Sequence, residues 1–135
     1  MKNNIKHILV VDDEPAILKL LEFVLSKEYS VTLKGNGYEA IAWLEEGNTP
    51  DLIVLDIEMP YFNGSEFLKS IKISGLFNSI PVIVLTGAVD LEKLKSEMRF
   101  PADVFMQKPF NPEKLQDAVR SLLKPNSTPL SYTAG

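Results

Sequence analysis

Four short stretches carry side chains suited to cation and phosphoryl chemistry: the pair Asp12-Asp13, Asp56 after an apolar run, Thr86 after another, and Lys108 ahead of Pro109. Carboxylates about 4 Å apart repel by roughly 4 kcal/mol even at an effective dielectric of 20, so three aspartates brought together would be strained or partly protonated. A cation resolves that conflict. Lys108 offsets one of the three charges, and the two left over match a magnesium-type ion taking oxygens from carboxylates, water and an incoming phosphate. Mg²⁺ is the first expectation and Mn²⁺ the second. In such a pocket an aspartate can be the nucleophile that forms an acyl phosphate, provided cationic groups neutralise the transferring oxygens. Asp56 is then the phosphoacceptor, and Asp13 and Asp56 hold the cation with Asp12 supporting it. Lys108 and the Thr86 hydroxyl meet the phosphoryl oxygens. Singly, each residue is ordinary as a turn, cap or surface group; only together do they point to a site.

The elements that must position them are legible. Apolar runs at Ile8 to Val11, Leu52 to Leu55 and Val82 to Leu85 alternate with segments of helical periodicity, the pattern of repeated β-α units. Weaker strands fit Val31 to Leu33 and Asp103 to Met106. Ile17, Leu20, Leu21 and Val24 are expected on one face of the first helix, and Leu115, Ala118, Val119 and Leu122 on one face of the last. Helices also fit Tyr38 to Glu46, Ser65 to Ile73 and Asp90 to Met98. Pro15 and Asn111-Pro112 open helices, while Gly47 and Pro125 close them. Right-handed crossovers, with strands two and five at the edges, predict a doubly wound parallel sheet of order 2-1-3-4-5, with its ligand crevice outside the carboxyl ends of the strands. Asp12, Asp13, Asp56, Thr86 and Lys108 all follow strand ends on that rim.

At 135 residues, with 45% apolar and 24% charged residues, the chain fits one packed domain. Residues 1–124 are expected to form it, and 125–135 a disordered tail or linker stub. No cysteine and the lone His7 exclude thiolate and histidine-rich metal sites. The N-terminal apolar run is too short for a signal peptide or membrane span, so a cytoplasmic location without membrane contact is expected. The formal net charge of -4 gives no general attraction to nucleic acid, and no direct contact with it is expected.

The segments Leu9-Val10-Val11-Asp12-Asp13-Glu14-Pro15, Leu52 to Pro60 with Asn63-Gly64, Val84-Leu85-Thr86-Gly87-Ala88 and Lys108-Pro109-Phe110 resemble, in order, the receiver domain of two-component response regulators, over about Ile5 to Leu123. The resemblance implies a flavodoxin-like (βα)5 fold and Mg²⁺-dependent transfer to Asp56 from a sensor histidine kinase or phosphotransfer protein. It also implies a cation ligand from the Glu58 backbone carbonyl, and a cis peptide before Pro109. Thr86 and Phe105 match the family's switch pair, ordinary edge-strand core being the alternative for Phe105, and helix four, strand five and helix five match its output face toward a downstream protein. The implied activity is that of a phosphoacceptor switch rather than an enzyme, here a stand-alone one. Pro101, and Asn63 where the family often has Asp, depart from the pattern. Glu58, two residues past the acceptor, adds a carboxylate expected to hinder attacking water.

Three rivals have weaker support. Gly35-Asn36-Gly37-Tyr38-Glu39-Ala40 fits a dinucleotide-binding pattern, but after an edge strand rather than the first strand of its unit. Asp56-Ile57-Glu58 loosely resembles an aspartate-nucleophile phosphohydrolase motif, which normally opens its chain. A receiver-like binding module that never takes phosphate would not be expected to retain all five site residues.

Overall fold

Val, Ile and Leu runs bounded by polar residues form strands because branched side chains pack well on a pleated surface. In the computed structural model, which describes residues 5–58, 64–98 and 102–124, these runs are β1 (His7–Val11), β3 (Leu52–Asp56) and β4 (Val82–Thr86). The edge strands are β2 (Ser30–Lys34) and β5 (Val104–Gln107). All pair in parallel in the order β2-β1-β3-β4-β5, the expected topology. Every residue of β3 and β4 is buried, whereas β2 and β5 are only partly covered, as the edge assignment requires.

Helices alternate with the strands: α1 (Pro15–Leu25), α2 (Gly37–Glu45), α3 (Gly64–Lys72), α4 (Leu91–Glu97) and α5 (Pro112–Leu123). On one side of the sheet, Leu21, Val24 and Leu25 of α1 and Leu115 and Val119 of α5 pack on Ile8, Val10, Leu52, Val54, Ile83 and Leu85. On the other, Ala40 and Leu44 of α2 and Phe67, Leu68 and Ile71 of α3 pack on Leu9, Val11, Ile53, Leu55, Val82 and Val84. Strand pleating separates the two sets, since successive side chains face opposite sides. In α4 no residue is buried.

Local signals account for most helix ends. Asn36, Asp90 and Asn111 accept backbone N–H bonds as N-caps, and Pro15 and Pro112 occupy first turns. Asn36 accepts from Glu39 N while the Glu39 carboxylate reaches back to Gly35 N, so the Gly-Asn-Gly stretch is a helix cap. Gly47 follows α2 with a φ of 103°, a left-handed conformation natural to glycine.

One expected face needs correction. Leu20 is exposed rather than sharing the buried stripe, because Leu25 and the half-buried Leu18 centre that stripe on the other side of Leu21. The last strand starts and ends one residue later than Asp103 to Met106. Asn63, Arg99, Pro101 and the 125–135 tail lie outside the described residues.

Candidate functional site

Strand ends are rigid platforms, and the site is built on four of them. Asp12 follows β1, where its N–H bonds Lys34 O at 3.1 Å and its Oδ1 accepts the Glu14 N–H at 2.9 Å. Asp56 ends β3, with Oδ1 accepting the Glu58 N–H at 3.0 Å. Each carboxylate therefore has one oxygen tied to its own turn and one directed elsewhere. Lys108, whose N–H bonds Thr86 O at 2.7 Å and whose bond to Pro109 is cis, brings Nζ to 3.3 Å from Asp12 Oδ2 and 3.4 Å from Asp56 Oδ2. Glu14 Oε1 is 3.6 Å from the same nitrogen.

Asp12 and Asp56 are buried and Asp13 is exposed, yet the three offer carboxylate oxygens all within 4.8 Å of one another. Asp12 Oδ2 is buried without a hydrogen bond, and among the described residues its one neighbour of opposite charge is Lys108. A hard divalent cation fits this donor set: oxygens only, crowded, under-compensated and open to solvent on the Asp13 side.

The electrostatics agree. Burial pushes the Asp56 carboxyl up to about 6; the Glu58 N–H opposes the rise, the Asp12 charge adds to it, and Lys108 opposes it. Burial likewise raises Asp12 against the pull of the Glu14 N–H and Lys108. For Lys108, burial acts to lower the pKa, but the Asp12 and Asp56 charges outweigh it and hold the ammonium above its usual value. Without a cation, the pocket holds more negative charge than its lysine can settle.

Thr86 is buried at the end of β4 and donates its hydroxyl hydrogen to Glu58 Oε2 at 2.7 Å. Glu58 Oε1 accepts the Gly87 N–H at 2.8 Å, and Thr86 Oγ1 accepts the Ala88 N–H at 3.0 Å. Phe105 is half-buried against the α2–α3 side of the core, with Lys95 Nζ 5.5 Å from its ring centre. Gln107, two residues on, donates to Ala88 O at 2.8 Å and Val89 O at 2.9 Å.

The residue pattern and this geometry meet in the comparison with known proteins. Residues 8–120 match the family model of the response regulator receiver domain. The chain belongs to this family. Response regulator Rre1 of Synechocystis is 34% identical over 86% of this chain and 51% of its own length. The DNA-binding response regulator MtrA of Mycolicibacterium smegmatis is 31% identical over 90% and 52% respectively. The chain thus spans about half the length of these relatives. Chemotaxis protein CheY4 of Vibrio cholerae superposes with a TM-score of 0.81 at 29% identity, covering 89% of this chain and all of that one. Receiver domains are phosphoacceptor switches that work between histidine kinases and downstream effectors. No helix among the described residues is long and apolar enough to cross a membrane.

In this receiver the structure brings together Asp12, Asp13, Asp56 and Lys108, and places Thr86 beside them through Glu58. Sequence reasoning gave no role to Glu14 or Gln107 and did not foresee the bonds from Thr86 and Gly87 to Glu58. Glu14 had one available signal: it directly follows the acidic pair.

Proposed function

We propose that this receiver accepts a phosphoryl group on Asp56 from a phosphohistidine of a sensor kinase or phosphotransfer protein, and that the modified state alters binding to a downstream protein. The carrying observation is the arrangement at Asp56: a carboxylate only 2% exposed at the end of a central strand, with Lys108 Nζ at 3.4 Å and two further aspartates alongside. An Asp56 carboxylate oxygen attacks phosphorus as the P–N bond breaks, and the bond's electron pair leaves with the imidazole. Lys108 and the Thr86 hydroxyl then meet the phosphoryl oxygens, which take up their charge at fixed donors.

Asp12, Asp13, Asp56 and the Glu58 backbone carbonyl would hold Mg²⁺, or Mn²⁺ in its place. When bound, that ion neutralises the transferring phosphoryl group. Added charge near Thr86 draws its hydroxyl toward the phosphoryl group, and Phe105 packs into the space this opens, altering the α4–β5–α5 face. The receiver spans residues 1–124 in this reading. The relatives' additional length leaves the stand-alone reading without support, and MtrA's DNA-binding name leaves the expected absence of nucleic-acid contact without it too.

The test is a phosphotransfer assay against a panel of autophosphorylated kinases with Asp56→Asn as control. Mg²⁺-dependent labelling of the parent at one phosphoryl per chain is expected. Labelling that survives Asp56→Asn would overturn the assignment, and multiple turnover of a phosphate monoester would favour a phosphohydrolase instead.

A further inference from the structure

A hydroxyl has one hydrogen to donate, and so does a backbone amide. Thr86 and Gly87 have both committed theirs to one carboxylate: Glu58 Oε2 accepts from Thr86 Oγ1 at 2.7 Å, and Oε1 from Gly87 N at 2.8 Å. These are short bonds to a charged acceptor, the stronger kind. The same residue donates its own N–H to Asp56 Oδ1 at 3.0 Å, so the Glu58 carboxylate is tethered beside the acceptor. A phosphoryl group on Asp56 would be a second anion reaching for donors already taken.

We infer that Glu58 is an internal ligand of the switch: its carboxylate occupies Thr86 and Gly87 in the unphosphorylated receiver and must leave them before a phosphoryl group on Asp56 can be read. This rests on Asp56 being the acceptor and adds a positioning residue that acts through Thr86. Glu58 is exposed, so its displaced carboxylate passes into water at little desolvation cost. The cost of displacement is the pair of bonds, and it subtracts from the affinity of the pocket for the phosphoryl group. Space is tight as well: a β-carbon placed on Gly87 would lie 3.3 Å from Glu58 Oε1. Carboxylate and phosphoryl group therefore exclude each other by donor count, not by charge alone.

Beryllium fluoride, which coordinates a carboxylate oxygen and mimics a phosphoryl group, tests this with Mg²⁺ present and amide NMR as the readout. Glu58→Asp keeps the charge but is one methylene too short to span both donors, while Glu58→Gln loses the charge but keeps a carbonyl for the Thr86 hydroxyl. Displacement predicts that Glu58→Asp and Glu58→Ala both bind the mimic about three- to tenfold more tightly, the range expected from losing one or two competing hydrogen bonds. Glu58→Gln should fall between them and the parent. In the ligand-free proteins, the Gly87 amide signal should shift on either Asp or Ala substitution, and in the parent it should shift on adding the mimic. If Glu58→Asp matches the parent while Glu58→Gln matches Glu58→Ala, simple charge repulsion replaces the inference. An unchanged Gly87 signal in the ligand-free variants also overturns it. Failure of every variant and the parent to bind the mimic sinks the Asp56 assignment and this inference with it; equal binding by all sinks the inference alone.

Discussion

Lys108 Nζ lies 3.3 Å from Asp12 Oδ2 and 3.4 Å from Asp56 Oδ2, so a single ammonium bridges two buried carboxylates that share no other cationic partner among the described residues. Removing one side of a buried ion pair costs on the order of 3 kcal/mol, because the other side is left charged and desolvated. Lys108→Met should lose about that much in urea unfolding at pH 7 with chelator present, and Mg²⁺ should restore part of it. Unchanged stability in chelator would mean that the bridge does not hold in solution.

Asp56 gives a stability profile of unusual sign. Its folded pKa, about 6, lies above the ordinary carboxylate value, so between about pH 4 and pH 6 the folded chain binds more protons than the unfolded one. Stability from this group is therefore highest at acid pH and falls as pH rises toward 6; Asp12, also raised, acts in the same direction. Metal-free Asp56→Asn should exceed the parent at pH 7 by about 1 kcal/mol or more and lose that advantage near pH 4. Thermal melts with chelator at the two pH values check this, and saturating Mg²⁺ should remove the parent's deficit.

Gly64 opens α3 directly against the end of β3. A β-carbon there would sit 2.5 Å from Asp56 O and 2.5 Å from Ile57 Cα, both backbone atoms that cannot step aside cheaply. Gly64→Ala should cost about 1–3 kcal/mol, as overpacking does, and shift the amide signals of Ile57 and Glu58. Normal stability with unmoved signals would show that the turn can relax.

Gln107 holds the loop between β4 and α4 by donating to Ala88 O and Val89 O. Gln107→Ala should leave global stability within about 1 kcal/mol of the parent while hydrogen exchange speeds up at Ala88 and in the first turn of α4. Exchange unchanged there would place the anchor elsewhere.

Topology and the aspartates were readable because both depend on strong, local rules. Apolar runs marked the buried strands, and crossover handedness fixed their order. Strand ends then carried Asp12, Asp56 and Thr86 to one rim. Leu20 was misplaced because four apolar residues at helical spacing do not say where the centre of a wider stripe lies; Leu18 and Leu25 decided that. The bonds from Thr86 and Gly87 to Glu58 were not readable, since an exposed glutamate has several rotatable bonds and only the β3–β4 separation determines which donors it can reach. Gln107 looked like any polar residue leaving an edge strand, and its partners lie across a loop whose path the sequence does not encode locally.

The helix α4 has none of its side chains buried. An element so lightly seated has low resistance to local opening, and its position can change without disturbing the two packed sides of the sheet. A tenfold change in a two-state population takes about 1.4 kcal/mol, comparable to one or two hydrogen bonds gained or lost at Thr86. In the switch proposed above, the message from Asp56 can therefore be small in energy and still large in outcome, because α4 is so lightly seated.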